Sequence, residues 1–398
     1  MNIIKKLLRS CPICNSVQGE ILHTQKFILP KGNPLPNEYD IVSCAKCGIS
    51  YVDTRITQQV YDVFYESLSK YEDKNTSSGG GYNEFDAKRI DITVQELERF
   101  CPDKESAIID IGCANGGILK NLKEKGYTNL TGFDPSKKCV DDVKNSGINC
   151  VHGTIFNAAT LLGERKFDFV VLSHVMEHIY DLNKAFIICS GLLKRNGQLY
   201  VEVPDAAFYA DYYVVPYYYF DSEHINHFDE ISLSNLGIVN GFSKKCAGHK
   251  VMQVSETQQY PALFVVFEKG KKINNESLPF STQARTSILR YIELSAKNSQ
   301  SEIISKLVET QEEIYVFGAG NFTLRLLASS DLSKCNIKAF IDNDTNKQGQ
   351  YIENCPIIAP EILNHYSGTV IICSALFAQD IVDQIGVINP NIQTVIIR

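Results

Sequence analysis

The chain has 398 residues, more than one ordinary domain holds, so we expect two or three compact units. Apolar residues make up 44% and charged residues 21%, a globular composition that excludes a largely disordered chain. The formal net charge of −7 argues against a nucleic-acid partner, because phosphate binding depends on Lys and Arg. No stretch is apolar enough to cross a bilayer or to form the core of a signal peptide, so we expect a cytoplasmic protein that binds no membrane.

Four cysteines near the start form two pairs, Cys11 with Cys14 and Cys44 with Cys47. Two residues separate the members of each pair, which lets both sulfurs contact the same ion. Four thiolates complete a tetrahedron and leave no position open for substrate, so the pattern predicts a structural zinc ion. Reduced structural thiols or a redox pair are the alternatives. The other cysteines have no such spacing, and we interpret them as core residues.

Residues 51–82 are rich in tyrosine, including Tyr61, Tyr65 and Tyr71, and end in a glycine-rich run. A surface linker before a helix at residues 83–100 is one interpretation. A flap that closes over a substrate is the other, since glycine hinges beside aromatic residues suit a moving loop.

Residues 106–117 predict a strand that ends at Asp110 and enters a glycine-rich turn before a helix at 118–125. Gly112 and Gly116 remove side chains where a ligand must approach the backbone. A second strand, residues 129–134, ends at Asp134, whose carboxylate can accept both hydroxyls of a ribose.

Strand and helix signals continue to alternate from residue 137 to residue 204. The predicted helices cover residues 137–146 and 182–193, and the predicted strands cover 149–152, 167–172 and 198–203. This alternation predicts an α/β fold with a doubly wound, mainly parallel sheet.

Four ordered segments, residues 110–116, 132–134, 167–174 and 193–197, resemble the motif series of class I S-adenosylmethionine (SAM) dependent methyltransferases. The resemblance implies a Rossmann-like sheet with the methionine part of SAM at the glycine turn. Many family members carry an acid where this chain has Thr154. A dinucleotide dehydrogenase fits less well, because the turn lacks a good GxGxxG pattern. The cofactor-binding residues that the resemblance implies are Asp110, Gly112, Cys113, Gly116, Asp134, Thr154, Ser173 and His174.

Histidines and acids gather at two places after predicted strand ends. His174 and His178 follow the strand at 167–172, and either could be a base or an ordinary packing residue. Residues 216–228 place Glu223, His224 and His227 among aromatic residues, where a carboxylate can orient an imidazole as a general base. A polar structural loop and a metal site of these three residues are the alternatives.

The order of zinc knuckles, methyltransferase core, Glu-His segment and a further unit resembles the sugar C-methyltransferases that act on nucleotide-linked keto-deoxysugars. In that family a base removes the proton beside the keto group, and the enolate attacks the methyl group of SAM. The resemblance implies catalytic roles for His224, Glu223, His178 and the flap residue Tyr71. Asp221 departs from the tyrosine that the family prefers, which leaves an oxygen or nitrogen acceptor open.

The C-terminal part repeats a strand, a glycine turn and an acid, at Gly318, Gly320 and Asp342. We interpret it as a second, smaller Rossmann-like domain that covers the substrate; an NAD site is the alternative. The predicted domains are a zinc-binding head with the flap (1–82), a SAM-binding domain (83–253) and this substrate domain (254–398). The expected protein is a monomer or homodimer acting on a small molecule, with an inactive binding protein as a further alternative.

Overall fold

The computed structural model describes residues 4–67, 80–271, 277–299 and 301–397. The chain forms two compact units. The first unit comprises residues 1–22, 41–209 and 223–288, and the second comprises residues 23–40, 210–222 and 289–398. Within the described ranges, every helix is too short or too polar to cross a bilayer.

Eighteen strands are present in the described chain. They are β1 Ile4–Lys6, β2 Gln18–Lys26, β3 Glu38–Cys44, β4 Ser50–Asp53, β5 Ile108–Ile111, β6 Leu130–Asp134, β7 Asn149–His152, β8 Phe167–Ser173, β9 Leu193–Pro204, β10 Asn226–His227, β11 Phe242–Gln253, β12 Gln259–Lys269, β13 Ile314–Phe317, β14 Ile337–Ile341, β15 Tyr351–Ile352, β16 Cys355–Ile358, β17 Thr369–Ile372 and β18 Gln393–Ile396.

The same residues contain eleven α-helices. They are α1 Gln58–Ser67, α2 Glu84–Phe100, α3 Gly117–Glu124, α4 Lys137–Asn145, α5 Ala158–Leu162, α6 Leu182–Leu192, α7 Glu230–Val239, α8 Gln283–Asn298, α9 Glu302–Thr310, α10 Asn321–Ser329 and α11 Ala378–Ile388.

The first unit contains a seven-stranded sheet in the order β11-β12-β9-β8-β5-β6-β7. Strands β7, β6, β5, β8 and β9 run parallel, so their carboxyl ends share one edge, where such sheets bind ligands. Strand β12 is antiparallel to both β9 and β11. The α/β prediction is confirmed, and the sheet is mixed.

Apolar strands bury the sheet on both faces, as parallel strands require. Ile109, Ile111 and Leu172 contact one core cluster, while Ile108 and Val171 contact the other. Side-chain caps fix where the flanking helices begin. Asn83 accepts a hydrogen bond from the amide of Asp86 at α2, and Ser136 accepts one from Cys139 at α4.

The seven-stranded sheet extends beyond the predicted boundary at residues 253/254. That boundary falls between β11 and β12, which pair along most of their length. The sequence prediction was wrong here because it treated β12 as the start of the next domain. The three-domain division as a whole stays a prediction.

The second unit contains a six-stranded sheet in the order β15-β16-β14-β13-β17-β18, parallel except for the short strand β15.

A smaller five-stranded sheet has the order β1-β2-β3-β4-β10. It carries the paired cysteines, which follow β1 or lie at the end of β3 and in the turn before β4.

Candidate active site

The turn between β5 and α3 depends on glycine at two positions. Gly112 and Gly116 both have φ of +76°, a conformation that side chains disfavour. A Cβ atom on Gly112 would lie 2.6 Å from Val175 Cγ2, and one on Gly116 would lie 2.7 Å from Val143 Cγ2. The chain therefore forms a tight, bare turn at the ligand-binding edge of the sheet.

The carboxylate of Asp134 fastens this turn to the end of β6. Its Oδ2 accepts a hydrogen bond from the Ala114 amide at 2.8 Å, and its Oδ1 accepts one from the Ser136 amide at 2.8 Å. Asp110 is buried at the end of β5, and burial together with the charge of Asp134 raises the pKa of Asp110 to about 7. Two acids therefore lie at the turn, and near neutral pH Asp110 is partly protonated.

His174 follows β8 in a left-handed conformation, with φ of +55°. Its Nδ1 lies 3.2 Å from Glu177 Oε1, and its Nε2 lies 3.3 Å from Glu202 Oε1. Burial lowers the pKa of His174, but the two carboxylates outweigh burial and raise it. The ring therefore lies between two acids that favour its protonated form.

Glu202 is fully buried in β9 and lies 2.6 Å from the Nζ atom of Lys250. The Tyr200 hydroxyl donates to the same carboxylate at 2.5 Å. Burial raises the pKa of Glu202, but Lys250 and His174 reverse this and hold it well below the usual range. These partners make the buried carboxylate a fixed support for His174.

Glu177, His178 and His224 form a second cluster, with one donor atom from each residue lying within 4.8 Å of the others. His178 and His224 meet edge to face, with ring centroids 4.7 Å apart. The Tyr65 hydroxyl is 2.8 Å from His178 Nδ1, and the Glu223 carbonyl oxygen is 3.1 Å from the same atom. Imidazole and carboxylate groups so close together can move a proton or hold a cation.

The four paired cysteines also lie together. Cys11 and Cys47 have sulfurs 3.5 Å apart, as do Cys14 and Cys44, and all four are buried. The spacing fits four sulfurs around one tetrahedral zinc ion. Gly48 makes the second knuckle possible, since its φ is +82° and a Cβ there would strike the Ser281 carbonyl oxygen.

Arg9 links this cysteine cluster to the loops that carry the histidines. Its guanidinium donates to the carbonyl of Tyr180 at 2.7 Å and to that of Ile225 at 3.2 Å. It also donates to Asn226 Oδ1 at 3.2 Å. One arginine, two positions before Cys11, thus holds the segments that follow His178 and His224 in the chain.

A family model described as a methyltransferase domain matches residues 82–245. We refer to residues 82–245 as the methyltransferase domain. The glycine turn, Asp134, His174 and the histidine cluster all lie within it. A second family model, described as C2185-like, N-terminal, matches residues 310–396.

Curated relatives match part of the chain. The ubiquinone biosynthesis O-methyltransferase of Coxiella burnetii (strain Dugway 5J108-111) is 23% identical over 128 residues, covering 31% of this chain and 54% of that protein. The mitochondrial ubiquinone biosynthesis O-methyltransferase of Dictyostelium discoideum is 26% identical over 116 residues, covering 25% of this chain and 36% of that protein. The chain thus spans about a third to a half of the length of these relatives.

Solved methyltransferase structures resemble the chain in fold. The 1,6-didemethyltoxoflavin-N1-methyltransferase of Burkholderia thailandensis, solved with 1,6-didemethyltoxoflavin and S-adenosylhomocysteine, is 16% identical. The match covers 57% of this chain and 97% of that chain, with a TM-score of 0.42. The magnesium protoporphyrin IX methyltransferase of Synechocystis PCC 6803 is 14% identical, with coverage of 54% and 99% and a TM-score of 0.40. Likeness at this level concerns the fold alone.

The structure brings several predicted cofactor residues to one edge of the methyltransferase domain. Asp134 and Ser173 end their parallel strands there, and Asp110 is the last residue but one of β5. Gly112, Cys113 and Gly116 form the turn. The sulfur of Cys113 lies 3.9 Å from the sulfur of Cys150 and 3.8 Å from the Ala114 carbonyl oxygen of the turn. Thr154 begins a short 3-10 helix after β7, and its side chain makes no cap hydrogen bond there.

Among the predicted catalytic residues, His178 and His224 lie together, while Glu223 contributes its backbone carbonyl to His178. Tyr71 lies outside the described residues. Sequence reasoning did not assign roles to Glu177 or Glu202. The His-x-x-Glu-His spacing from His174 to His178 was the available signal for Glu177, whereas Glu202 read as an ordinary strand residue.

The second glycine turn, in the other compact unit, already has internal partners for its acid. Asp342 accepts from the Ala319 amide at 2.8 Å and lies 3.1 Å from Lys347 Nζ. Asp221 belongs to this unit too, and its Oδ1 accepts from Asn321 Nδ2 at 2.6 Å, in the first turn of α10. Thus Asp221, the residue that departs from the sugar-methyltransferase pattern, forms part of a polar cluster in the second unit.

Proposed function

We propose that this protein transfers a methyl group from SAM to a nucleotide-linked keto-deoxysugar or a related small metabolite. The observation that carries the proposal is the Glu177, His178 and His224 cluster at the same sheet edge as the glycine turn and Asp134. The first set of groups can remove a proton, and the second can hold an adenosine-bearing donor.

The residues of the turn would bind the donor. Gly112 and Gly116 leave the backbone bare, and the remaining lone pairs of Asp134 would accept the ribose hydroxyls. Ser173 Oγ is buried and has no hydrogen-bond partner within the described ranges, so it is available to the methionine end of the cofactor. SAM supplies a methyl group bound to a positively charged sulfur.

The histidine cluster would prepare the acceptor. The proton beside the keto group passes to an imidazole, with His224 as the base and His178 and Glu223 as its neighbours, and the electron pair of the broken C–H bond forms the enolate. The enolate carbon then takes the methyl group as the carbon–sulfur bond breaks, and S-adenosylhomocysteine leaves. The tyrosine-rich segment at residues 51–82, including Tyr71, would cover the sugar.

Methylation of oxygen is the second candidate. It is favoured by the curated relatives, which carry the name ubiquinone biosynthesis O-methyltransferase, and by the occupation of position 221 by an acid. A hydroxyl acceptor requires removal of a proton by the same cluster. NMR of the product separates a carbon-bound from an oxygen-bound methyl group.

The cysteine cluster would hold zinc in a structural role. Four buried sulfurs provide a closed tetrahedral donor set with no place for a substrate atom.

Purified protein tests the proposal when it is offered SAM with keto-deoxysugar nucleotides. We expect S-adenosylhomocysteine to form, and we expect His224→Ala to abolish turnover while SAM affinity persists. The matched control is His365→Ala, an exposed histidine of the second unit, which should retain full turnover. A native protein that binds no SAM contradicts the proposal, and one that binds SAM without any turnover favours an inactive binding protein.

A further inference from the structure

We propose that Glu177, His178 and His224 bind a divalent transition-metal ion in the methyltransferase domain, separate from the ion of the four cysteines. The role of the proposed ion in catalysis rests on the proposed methyl transfer, but the binding of that ion does not. The three donor atoms lie within 4.8 Å of one another, and His178 Nε2 is 3.9 Å from Glu177 Oε1. Small movements of the side chains would bring them to about 2 Å from a common ion.

One oxygen of the Glu177 carboxylate indicates that a cation binds at this position. The residue is 1% exposed, and its Oε2 has no hydrogen-bond partner among the residues that the structure describes. A buried carboxylate oxygen without a donor costs free energy unless a cation or another donor satisfies it. A metal ion between Glu177 and the two imidazoles would supply that partner.

The surroundings orient the donors as metal sites require. Glu223 O and the Tyr65 hydroxyl both lie within hydrogen-bond distance of His178 Nδ1. A carbonyl oxygen can only accept, so a proton on Nδ1 would satisfy Glu223 O and would put the lone pair on Nε2. His174 holds the other carboxylate oxygen of Glu177 at 3.2 Å and is itself supported by Glu202. Outer contacts of this kind fix ligand orientation and raise metal affinity.

The cysteine cluster and the histidine cluster differ in whether they leave coordination positions open. The four cysteines are all buried and complete a closed set, whereas two imidazoles and one carboxylate fill only part of a coordination sphere. His224 is half-buried, so the site has an accessible side. An acceptor oxygen could therefore complete the coordination of the ion.

Such an ion would change how the acceptor loses its proton. By polarising the acceptor's carbonyl or hydroxyl oxygen, it lowers the pKa of the neighbouring C–H or of the O–H. With the ion bound, His224 is a ligand and no longer the base, so the proton passes to water. The electron pair left behind then attacks the methyl group of SAM, as in the proposed reaction. The imidazoles would serve as ligands, and the inference holds for a carbon or an oxygen acceptor.

Manganese distinguishes the two sites because thiolates favour softer ions, while carboxylate and imidazole accept Mn²⁺. The full-length protein, holding its zinc, is dialysed against MnCl₂, and bound Mn²⁺ is measured by electron paramagnetic resonance. We expect one Mn²⁺ per chain. Glu177→Gln and His224→Ala should each weaken binding by about tenfold or more, and His174→Asn should weaken it less, as a supporting residue.

His365→Ala is the control and should leave Mn²⁺ binding unchanged. Zinc content and far-UV circular dichroism identify any variant that fails to fold, and the half-buried His224 remains testable if Glu177→Gln does not fold. A native protein that binds no Mn²⁺, or variants that bind as tightly as the native chain, would overturn the inference. Mn²⁺ binding without methyl transfer would refute the proposed function alone, and methyl transfer without a Mn²⁺ site would refute only this inference.

Discussion

Asp134 illustrates what sequence can and cannot predict for a single residue. Its place at the end of β6 followed from the strand pattern and the acid that ended it. Its hydrogen bond to the amide of Ala114 did not, because that bond depends on the path of a turn twenty residues away. The carboxylate that was assigned to a ribose therefore also shapes the turn.

Asp134→Asn should reduce SAM affinity by about tenfold or more, the equivalent of roughly 1.5 kcal/mol for one hydrogen bond to a charged group. The side-chain NH2 group of asparagine would face the backbone N–H of Ala114 or Ser136. Two donors would then meet, and their repulsion would displace the turn. Isothermal calorimetry measures the effect. Asp342→Asn, which changes the corresponding acid of the second unit, is the control and should leave SAM affinity unchanged. Equal affinities for Asp134→Asn and the native chain would rule out this role.

At the scale of elements, predictions succeeded where apolar periodicity was strong. Strand β7 was predicted with the bounds observed, and α2 differs by one residue. Strand β11 was missed because its central residues are polar and partly exposed, so no apolar run marks it. Helices α8 and α9 are separate, and Ser301 caps α9 by accepting from the Ile304 amide.

The second cysteine knuckle offers a test at this scale. In Gly48→Ala the new Cβ would meet the Ser281 carbonyl, so both backbone strain and overlap destabilise the knuckle. Gly126→Ala is the matched control: its φ of +92° imposes similar strain, but no atom lies within 4 Å. We expect Gly48→Ala to be less stable than the control by about 1–3 kcal/mol and to lose zinc more readily. Urea unfolding and zinc release measure both, and equal stability of the two variants would contradict the packing argument.

For the whole molecule, sequence motifs indicated the cysteine cluster and the glycine turn, but not the contacts that join distant segments of the chain. The series from Lys250 through Glu202, His174 and Glu177 to His178 joins two strands, β11 and β9, to the loop that follows β8. Arg9 likewise reaches residues 180, 225 and 226. Such contacts depend on distant parts of the chain meeting in space, and no local pattern of residues encodes them.

Arg9 gives the last prediction, because it couples the cysteine cluster to the histidine loops. Arg9→Lys keeps the charge but loses the planar group that contacts Tyr180, Ile225 and Asn226 together. A displacement of the histidines on the order of 1 Å would lower turnover by up to about a hundredfold, while the glycine turn stays intact and SAM affinity is unchanged. Steady-state kinetics and calorimetry measure the two effects. Arg285→Lys, which alters the ion pair with Glu20, is the control for loss of a bidentate arginine elsewhere in the same unit. If Arg9→Lys leaves turnover intact, or lowers SAM affinity as much as turnover, the arginine does not act by positioning the histidine cluster.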